Sequence, residues 1–539
     1  MLTSSDKRTD ENAIESVREA DRARGFGPIT FSIRTLELAS LGYLAIPIAI
    51  FLIGYLKPVF AVPAVALLSL ALFSYATARA PKPLTAGPGE AEVLGIRPRQ
   101  LALVLIAVVF FVLASGIGGY GYQDAGDWNK HNAIIHDLID HPWPVYYERP
   151  AGGAPLVYYI AYYLPAAVAG KVFHSRFVAN QMLFAWSCVG LTLVLFRLFA
   201  LVGRVHAGLV ALFFAFSGMD IVGIYLTSCP SPAALGHIEG WASYWQYSSN
   251  VTLLFWTPNQ AIAGWLITGM LLGASLRRWN GGDVFFIWSF SPLISPFVAL
   301  GCLPFALIAG ILGTQYSIAS SPNPVWRRWL NPQTAAGVTL LLLQGLYFMA
   351  KVGGTSPSHE GSAFDFFAVR TLGRLGGLVV FELLEFGILA MIVCLSRSVS
   401  TRRLRAVAGA AIASLTLLPF FRYGRSNDLV MRASIPALFA LCVLIGRTLA
   451  APTVKRLWKT ALLGLLLVGM FTGAVELRRH LSWHNVANWS RLADPGPTLP
   501  EVNEQFNREN GEQDWFIHQY VGRADALFFR WFAKDGPNR

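Results

Sequence analysis

Residues 119–138 read GYGYQDAGDWNKHNAIIHDL. Carboxyl groups at Asp124, Asp127 and Asp137 crowd there with the ammonium of Lys130 and the imidazoles of His131 and His136. A carboxylate in such a setting can take a proton from a reacting hydroxyl. Asp127 and His131 stand one helical turn apart, so they can also share a divalent cation or form an ordinary hydrogen-bonded pair. A plainer role for Asp127 is capping the helix that begins near Asn129. A second group is FFRYGRSNDLVMRAS (420–434), with Arg422, Arg425 and Arg432. Guanidinium presents a planar fork of donors matched to phosphate oxygens; the competing reading pairs these arginines with Asp428 or with anionic lipid. A third, TSCPSPAALGHIEGWASYWQYSSNVTLLFW (227–256), sets His237 and Glu239 among tryptophans and tyrosines. It suits either a stacked, hydrogen-bonded sugar or an interfacial aromatic belt. Asp220 in FAFSGMDIVGIYL is an ionisable group inside an apolar run, for which an arginine is the expected partner. Glu382 and Glu385 in VVFELLEFGIL, one helical turn apart, either line a lipid-access groove or pair with Arg374.

The elements that must hold these groups are membrane helices. Of 539 residues, 54% are hydrophobic and only 14% charged, with mean hydropathy +0.48; a soluble domain carries roughly a quarter charged residues. The net charge of +12 sits in short loops between apolar runs, which argues for helix orientation rather than nucleic-acid binding. The cysteines form no CxxC and lie mostly in apolar runs, the pattern of neither a disulfide framework nor a zinc site. Runs long enough to cross a bilayer are expected at about 40–56, 58–79, 101–119, 178–201, 206–226, 257–276, 334–352, 373–395, 404–421, 434–450 and 459–476. The stretch 283–313, broken by Pro292, Pro296 and Pro304, reads as a hairpin. The fold class is therefore an all-α polytopic membrane protein of about thirteen spans.

Lysine and arginine accumulate on the cytoplasmic side. Arg397/Arg402/Arg403/Arg405 and Arg447/Lys455/Arg456/Lys459 fix one face, and Arg327/Arg328, Arg277/Arg278, Arg197/Arg204 and Arg97/Arg99 follow it. This expects a cytoplasmic tail over 1–37 with no cleavable signal peptide, a transmembrane domain over 38–476, and an outer segment over 477–539. QYVGRADALFFRWFAKDG in that last segment suits a basic amphipathic helix on the membrane, or a cover over the cleft. The first outer loop spans 120–177. Its apolar stretch APLVYYIAYYLPAAVAGKVF (154–173) reads as an amphipathic helix in the interface, because counting it as a crossing would place Arg197 and Arg204 outside.

All three arginines of 420–434 then stand on the face that should lack them. An outward-facing membrane protein meets phosphate as lipid phosphate: a polyprenyl phosphate carrying a sugar, or a phospholipid head group. Sugar transfer from such a donor needs a carboxylate to take the acceptor's proton and positive charge to receive the phosphate. One outer carboxylate and an outer arginine cluster make a minimal set.

The stretch DWNKHNAIIHDL (127–138) resembles the first outer loop of the GT-C glycosyltransferases, integral membrane enzymes that use lipid-phosphate sugars. Asp127 takes the catalytic place, with Ile134 seven and Leu138 eleven positions on. HPWPVYYERPAGGAPLVYYIAYYLP (141–165) and SRFVANQMLFAWSCVGLTLVLFRLF follow in the family's order, so the likeness covers residues 120–201. Trp128 stands where many members carry a second acid, which leaves Asp124, His131 or Glu239 to replace it. The resemblance implies a GT-C-like bundle with amphipathic helices in the first outer loop. It further implies inverting transfer of a sugar to a lipid, glycan or protein acceptor; the charge bias puts this on the outer face, and high Ala, Gly and Arg usage fits a GC-rich bacterium, hence the periplasmic face of a bacterial inner membrane. Asp127 would be the base, with Asp124 in reserve, Arg422, Arg425 and Arg432 would clamp the donor phosphate, and Lys130, His131, His237, Glu239 and Asp220 would contact substrate. Some members of the family use a divalent cation and others do not, so a metal is left open. Two other readings stay open. The broken 283–313 segment suits a transporter or flippase of lipid-linked glycans, and a glycan polymerase or ligase would share the same lipid-phosphate substrate.

Overall fold

The computed structural model describes residues 27–78, 93–123, 125–148, 153–228, 236–276, 281–320, 329–351, 365–366, 371–423, 427–482, 496–510 and 515–536. Asp124 and Arg425 lie outside them, as do Arg277, Arg278, Arg327 and Arg328. Among the described residues the chain is a helical bundle with three two-stranded ribbons, of which Tyr146–Tyr147 with Ala154–Pro155 and Asp365–Phe366 with Phe421–Arg422 lie between helices. The protein is an all-α polytopic membrane protein.

Among the described residues eight helices are long and apolar enough to cross a bilayer: Ile33–Tyr55, Pro58–Thr77, Arg176–Val202, Ala207–Thr227, Gly373–Leu395, Arg402–Phe420, Asp428–Ala450 and Arg456–Ser482. The structure supports this number rather than thirteen. The Pro98–Ala114 helix has only 17 residues. Residues 283–313 form Gly281–Trp288, a single turn at Ser291–Ile294, and the long helix from Pro296. Ser295 is extended because Pro296 disfavours a helical residue before it. The backbone groups freed by this break are satisfied by side chains, as a membrane interior requires. Leu293 N–H donates to Gln344 Oε1 at 2.7 Å, Gln344 Nε2 donates to Ser289 O at 3.0 Å, and Ser295 Oγ donates to Gln260 Oε1 at 2.8 Å.

Pro258–Leu276 and Ile435–Ala450 are buried on nearly every side and form the middle of the bundle. Pro58–Thr77 turns Val59, Val62 and Phe73 outward, the apolar exterior expected where lipid is the solvent.

Two expectations for the outer segments are corrected. Residues 154–173 are not one interfacial helix: only Leu164–Phe173 is helical, and Leu156, Val157, Ile160 and Tyr163 are fully buried. Pro165 starts that helix at a position proline favours, and the chain before it is tied down by Tyr347, whose hydroxyl accepts from Tyr158 N–H at 3.0 Å. The C-terminal stretch is likewise no long amphipathic helix. Phe528–Phe532 is a single π-helical turn with Phe528 and Phe529 buried. Its backbone pairs with the body of the molecule at Leu156–Val521, Lys351–Gly522 and Leu56–Ala533. Val521, Phe528, Phe529 and Ala533 are packed into the protein.

Candidate functional site

The Ala125–Asp140 helix carries Asp127 in its first turn, where the helix dipole favours negative charge. Successive turns place Lys130 and His131 on the same face. Lys130 Nζ donates to Asp127 Oδ1 at 2.6 Å, and 26% of the Asp127 side chain remains open. Burial works to raise the Asp127 carboxyl, but Lys130, His131 and Arg432 outweigh it and bring it from 3.8 to about 2. Burial and the neighbouring Lys130 ammonium hold the His131 imidazole down to about 3, so it is neutral.

The junction between Asn250–Trp256 and Pro258–Leu276 is the platform that assembles the site. Phe255 O accepts from Trp128 Nε1 at 2.9 Å. Trp256 O meets His131 Nε2 at 3.1 Å. Thr257 Oγ1 accepts from Arg432 Nη1 at 3.1 Å. Three consecutive residues therefore hold two side chains of the Ala125–Asp140 helix and one from a segment remote in sequence. Because a carbonyl only accepts, His131 Nε2 carries the proton, and Nδ1 then accepts from the Tyr163 hydroxyl. Both imidazole nitrogens are engaged, so His131 could ligate a cation only by giving up one of these partners. Among the described residues no three histidine, cysteine or acidic side chains gather as a metal site would need.

The structure thus brings Asp127, Lys130, His131 and Arg432 together. Arg432 also lies 4.0 Å from Asp428 Oδ1, so part of the ion-pair reading holds alongside. Arg422 is elsewhere: its guanidinium lies over the Tyr244 ring, 5.6 Å from the centroid, beside that of Arg374. Tyr159 and Tyr520 act on Lys130, and Asp428 acts on Tyr159, Tyr520 and Lys351. These side chains escaped sequence reasoning. Tyr159 looked like one of several interfacial tyrosines, and nothing local marks Tyr520 or Lys351. The platform had a signal in FWTPN, since proline at a first helical position announces a break.

His237, Glu239 and Asp220 belong to a second cluster. His237 Nδ1 meets Glu476 Oε1 at 2.6 Å. Burial opposes its charge, yet Glu476 and Glu239 lift it to about 9. Burial raises Glu239 to about 7 against the pull of His237, while Gln246 Nε2 and Ser249 N–H donate to it at 2.8 Å each. No arginine among the described residues pairs with Asp220: Ser217 Oγ and Thr472 Oγ1 donate to its Oδ2 at 3.0 and 2.8 Å, and its carboxyl meets that of Glu385. Glu385 accepts from Trp241 Nε1 at 2.9 Å. Trp256 joins the two clusters, with its carbonyl on His131 and its indole Nε1 on Glu476 Oε2 at 3.3 Å.

No family model, no curated protein and no solved structure matches this chain. Fold and site together define a polytopic α-helical membrane protein in which a carboxylate, an ammonium and a guanidinium converge beside buried tyrosines.

Proposed function

We propose that this chain is a membrane glycosyltransferase of the GT-C type that moves a sugar from a polyprenyl-phosphate donor to a lipid, glycan or protein acceptor. The observation that supports this best is the meeting of Asp127 with Lys130 of its own helix and with Arg432 from a segment remote in sequence, one carboxylate and two cations. In this reading the acceptor oxygen attacks the anomeric carbon and forms the new C–O bond as the bond to the donor phosphate breaks. Asp127 takes the acceptor's proton, and the electron pair leaves on the phosphate, which Arg432 and Lys130 receive. A single displacement inverts the anomeric centre. A carboxylate held to about 2 is a weak base. When Lys130 turns to the donor phosphate, Asp127 loses its strongest partner and becomes more basic as the acceptor arrives. Arg422, Arg425 and Asp124 are kept as outer contributors, with His237, Glu239 and Asp220 on the acceptor side.

The reading also takes the apolar helices Pro98–Ala114, Pro258–Leu276, Gly281–Ile294, Pro296–Leu312 and Pro332–Met349 as crossings beside the eight long ones, which makes thirteen spans. It sets the site at the periplasmic face of a bacterial inner membrane. Asp127→Asn tests it: the fold and binding of a polyprenyl-phosphate sugar should survive while transfer falls by about 10³-fold or more. Undiminished transfer would refute the assignment.

A second reading, movement of a lipid-linked glycan across the membrane, draws on the interrupted helix at Ser295, where side chains take over backbone hydrogen bonds at depth. Reconstituted vesicles separate the two: a flippase relocates the labelled glycolipid without making a glycosidic bond. A polymerase or ligase would instead yield a longer glycan from the same donor.

A further inference from the structure

The acid cluster on the other side of Trp256 has a feature that sugar transfer does not use. The Ala207–Thr227 span is interrupted between Ala215 and Asp220, and the Gly373–Leu395 span contains a π-helical turn at Leu383–Gly387. Such turns recur at functional sites because they re-aim a side chain. This one carries Glu385, and the interruption opposite it carries Gly218. A Cβ at Gly218 would stand 2.1 Å from Glu385 Oε2 and 2.7 Å from its Cα, so only glycine admits the carboxyl. The freed Leu384 carbonyl accepts from Met219 N–H at 3.1 Å and ties the two irregularities together.

Asp220 and Glu385 are 0% and 1% exposed. Their carboxyl groups are in hydrogen-bond contact with each other. Each also keeps one oxygen, Asp220 Oδ1 and Glu385 Oε2, that no donor among the described residues reaches. Carboxylates only accept, so two in contact need a hydrogen between them. We propose that Asp220 and Glu385 form a proton-binding site inside the membrane-spanning bundle, the two carboxyl groups holding one proton between them.

The surroundings are those of a stable site for that ligand. Ser217, Thr472 and Trp241 donate to the remaining oxygens, which accommodates one net negative charge. The titratable and charged groups that act on the pair are His237 and Glu239 from the 236–249 segment and Tyr247 beside Glu385, while Glu476, Arg479 and His480 of the Arg456–Ser482 helix stand one layer further out, against His237 and one another. Loss of the shared proton would set two negative charges in contact. Intramembrane acids that pair with one another mark proton relays among other ion sites, and the site does not rest on the sugar-transfer reading, since a carboxyl pair holding a proton is read out whether or not Asp220 also serves the acceptor side.

Infrared spectroscopy of the purified full-length chain in lipid nanodiscs tests the proposal. Wild type at neutral pH should show a protonated-carboxyl C=O band that shifts in D₂O. One carboxyl's worth of that band should vanish in Asp220→Asn and in Glu385→Gln, each of which supplies an amide donor in place of the proton. Glu239→Gln serves as control and should leave the Asp220–Glu385 contribution in place. Absence of the band in wild type, or its persistence at full intensity in both single variants, would overturn the site. So would its loss on replacing choline chloride with sodium chloride, because the occupant would then be a metal cation. The wild-type measurements require no variant to fold.

Discussion

Asp127 and Lys130 are one helical turn apart, half-shielded, and 2.6 Å from contact to contact. The pair sets a problem for any chemistry at Asp127, because an ion-paired carboxylate near 2 holds protons weakly. Lys130→Met isolates the effect. Burial, which favours the neutral acid, would then face only His131 and Arg432, so the Asp127 carboxyl must titrate at higher pH. In the proposed reaction the base is needed ionised. The acid limb of kcat/KM should therefore move upward by roughly one to two pH units. The pH-independent rate should also drop by about 10²-fold as the phosphate loses a cation. Stability should change by only about 1 kcal/mol, since the pair is partly solvated. An acid limb that stays in place while the rate falls would mean that Asp127 is not the titrating base.

At the scale of elements, the position of Arg432 depends on one close approach. Arg432 rides on the Asp428–Ala433 turn, which packs against the helix beginning at Pro296. A Cβ at Gly301 of that helix would sit 2.1 Å from Ala433 O and 2.9 Å from its carbonyl carbon. Backbone cannot rotate away as a side chain can, so Gly301→Ala must displace the turn. Overpacking of this sort costs about 1–3 kcal/mol, and the expected readouts are a lowered Tm and weaker binding of a polyprenyl-phosphate donor. Retained donor affinity would detach Arg432 from the phosphate. Much of this level was legible in the sequence. The apolar runs, the Ala125–Asp140 helix and the proline-broken 283–313 segment follow from periodicity and proline chemistry alone. Burial of 154–163 was not legible, since VYYIAYY has the amphiphilic composition of an interfacial helix and only Tyr347, remote in sequence, shows that it is core. Glu385 was misplaced for a related reason. One-turn spacing with Glu382 presumes an α-helix, and the π turn between them rotates Glu385 inward to Asp220.

For the whole molecule the decisive relation is between the loop at 120–177 and the C-terminal segment, which composition alone presented as separate pieces. Their connection is a carboxyl inside the Ala125–Asp140 helix. Asp137 Oδ2 accepts from Tyr147 OH at 2.7 Å and from Leu499 N–H at 3.1 Å. The chain beyond Leu499 then lays Tyr520 against Tyr158, and Tyr520 O accepts from Val157 N–H at 2.8 Å. Tyr520 thereby reaches the electrostatic neighbourhood of Lys130. Burial raises the Asp137 carboxyl to about 6, although both donors favour its charged form. A group with a raised folded value contributes stability that is complete below 3.8 and is lost as pH climbs through 6. Asp137→Asn keeps an acceptor for Leu499 N–H and has nothing to ionise, so its Tm should exceed that of wild type at pH 7 and match it near pH 4. Asp137→Leu leaves the buried Leu499 N–H without its acceptor, at a cost of about 1–3 kcal/mol. Limited proteolysis should then cut within Leu499–Asn510 faster than in wild type, and Lys130 should become reachable by an amine-directed label as Tyr520 withdraws. Unchanged cleavage and labelling in Asp137→Leu would show that the C-terminal segment is held by its strand-like pairings at Leu156, Lys351 and Leu56 instead. In that case Asp137 would be a passive buried acid with no part in closing the site.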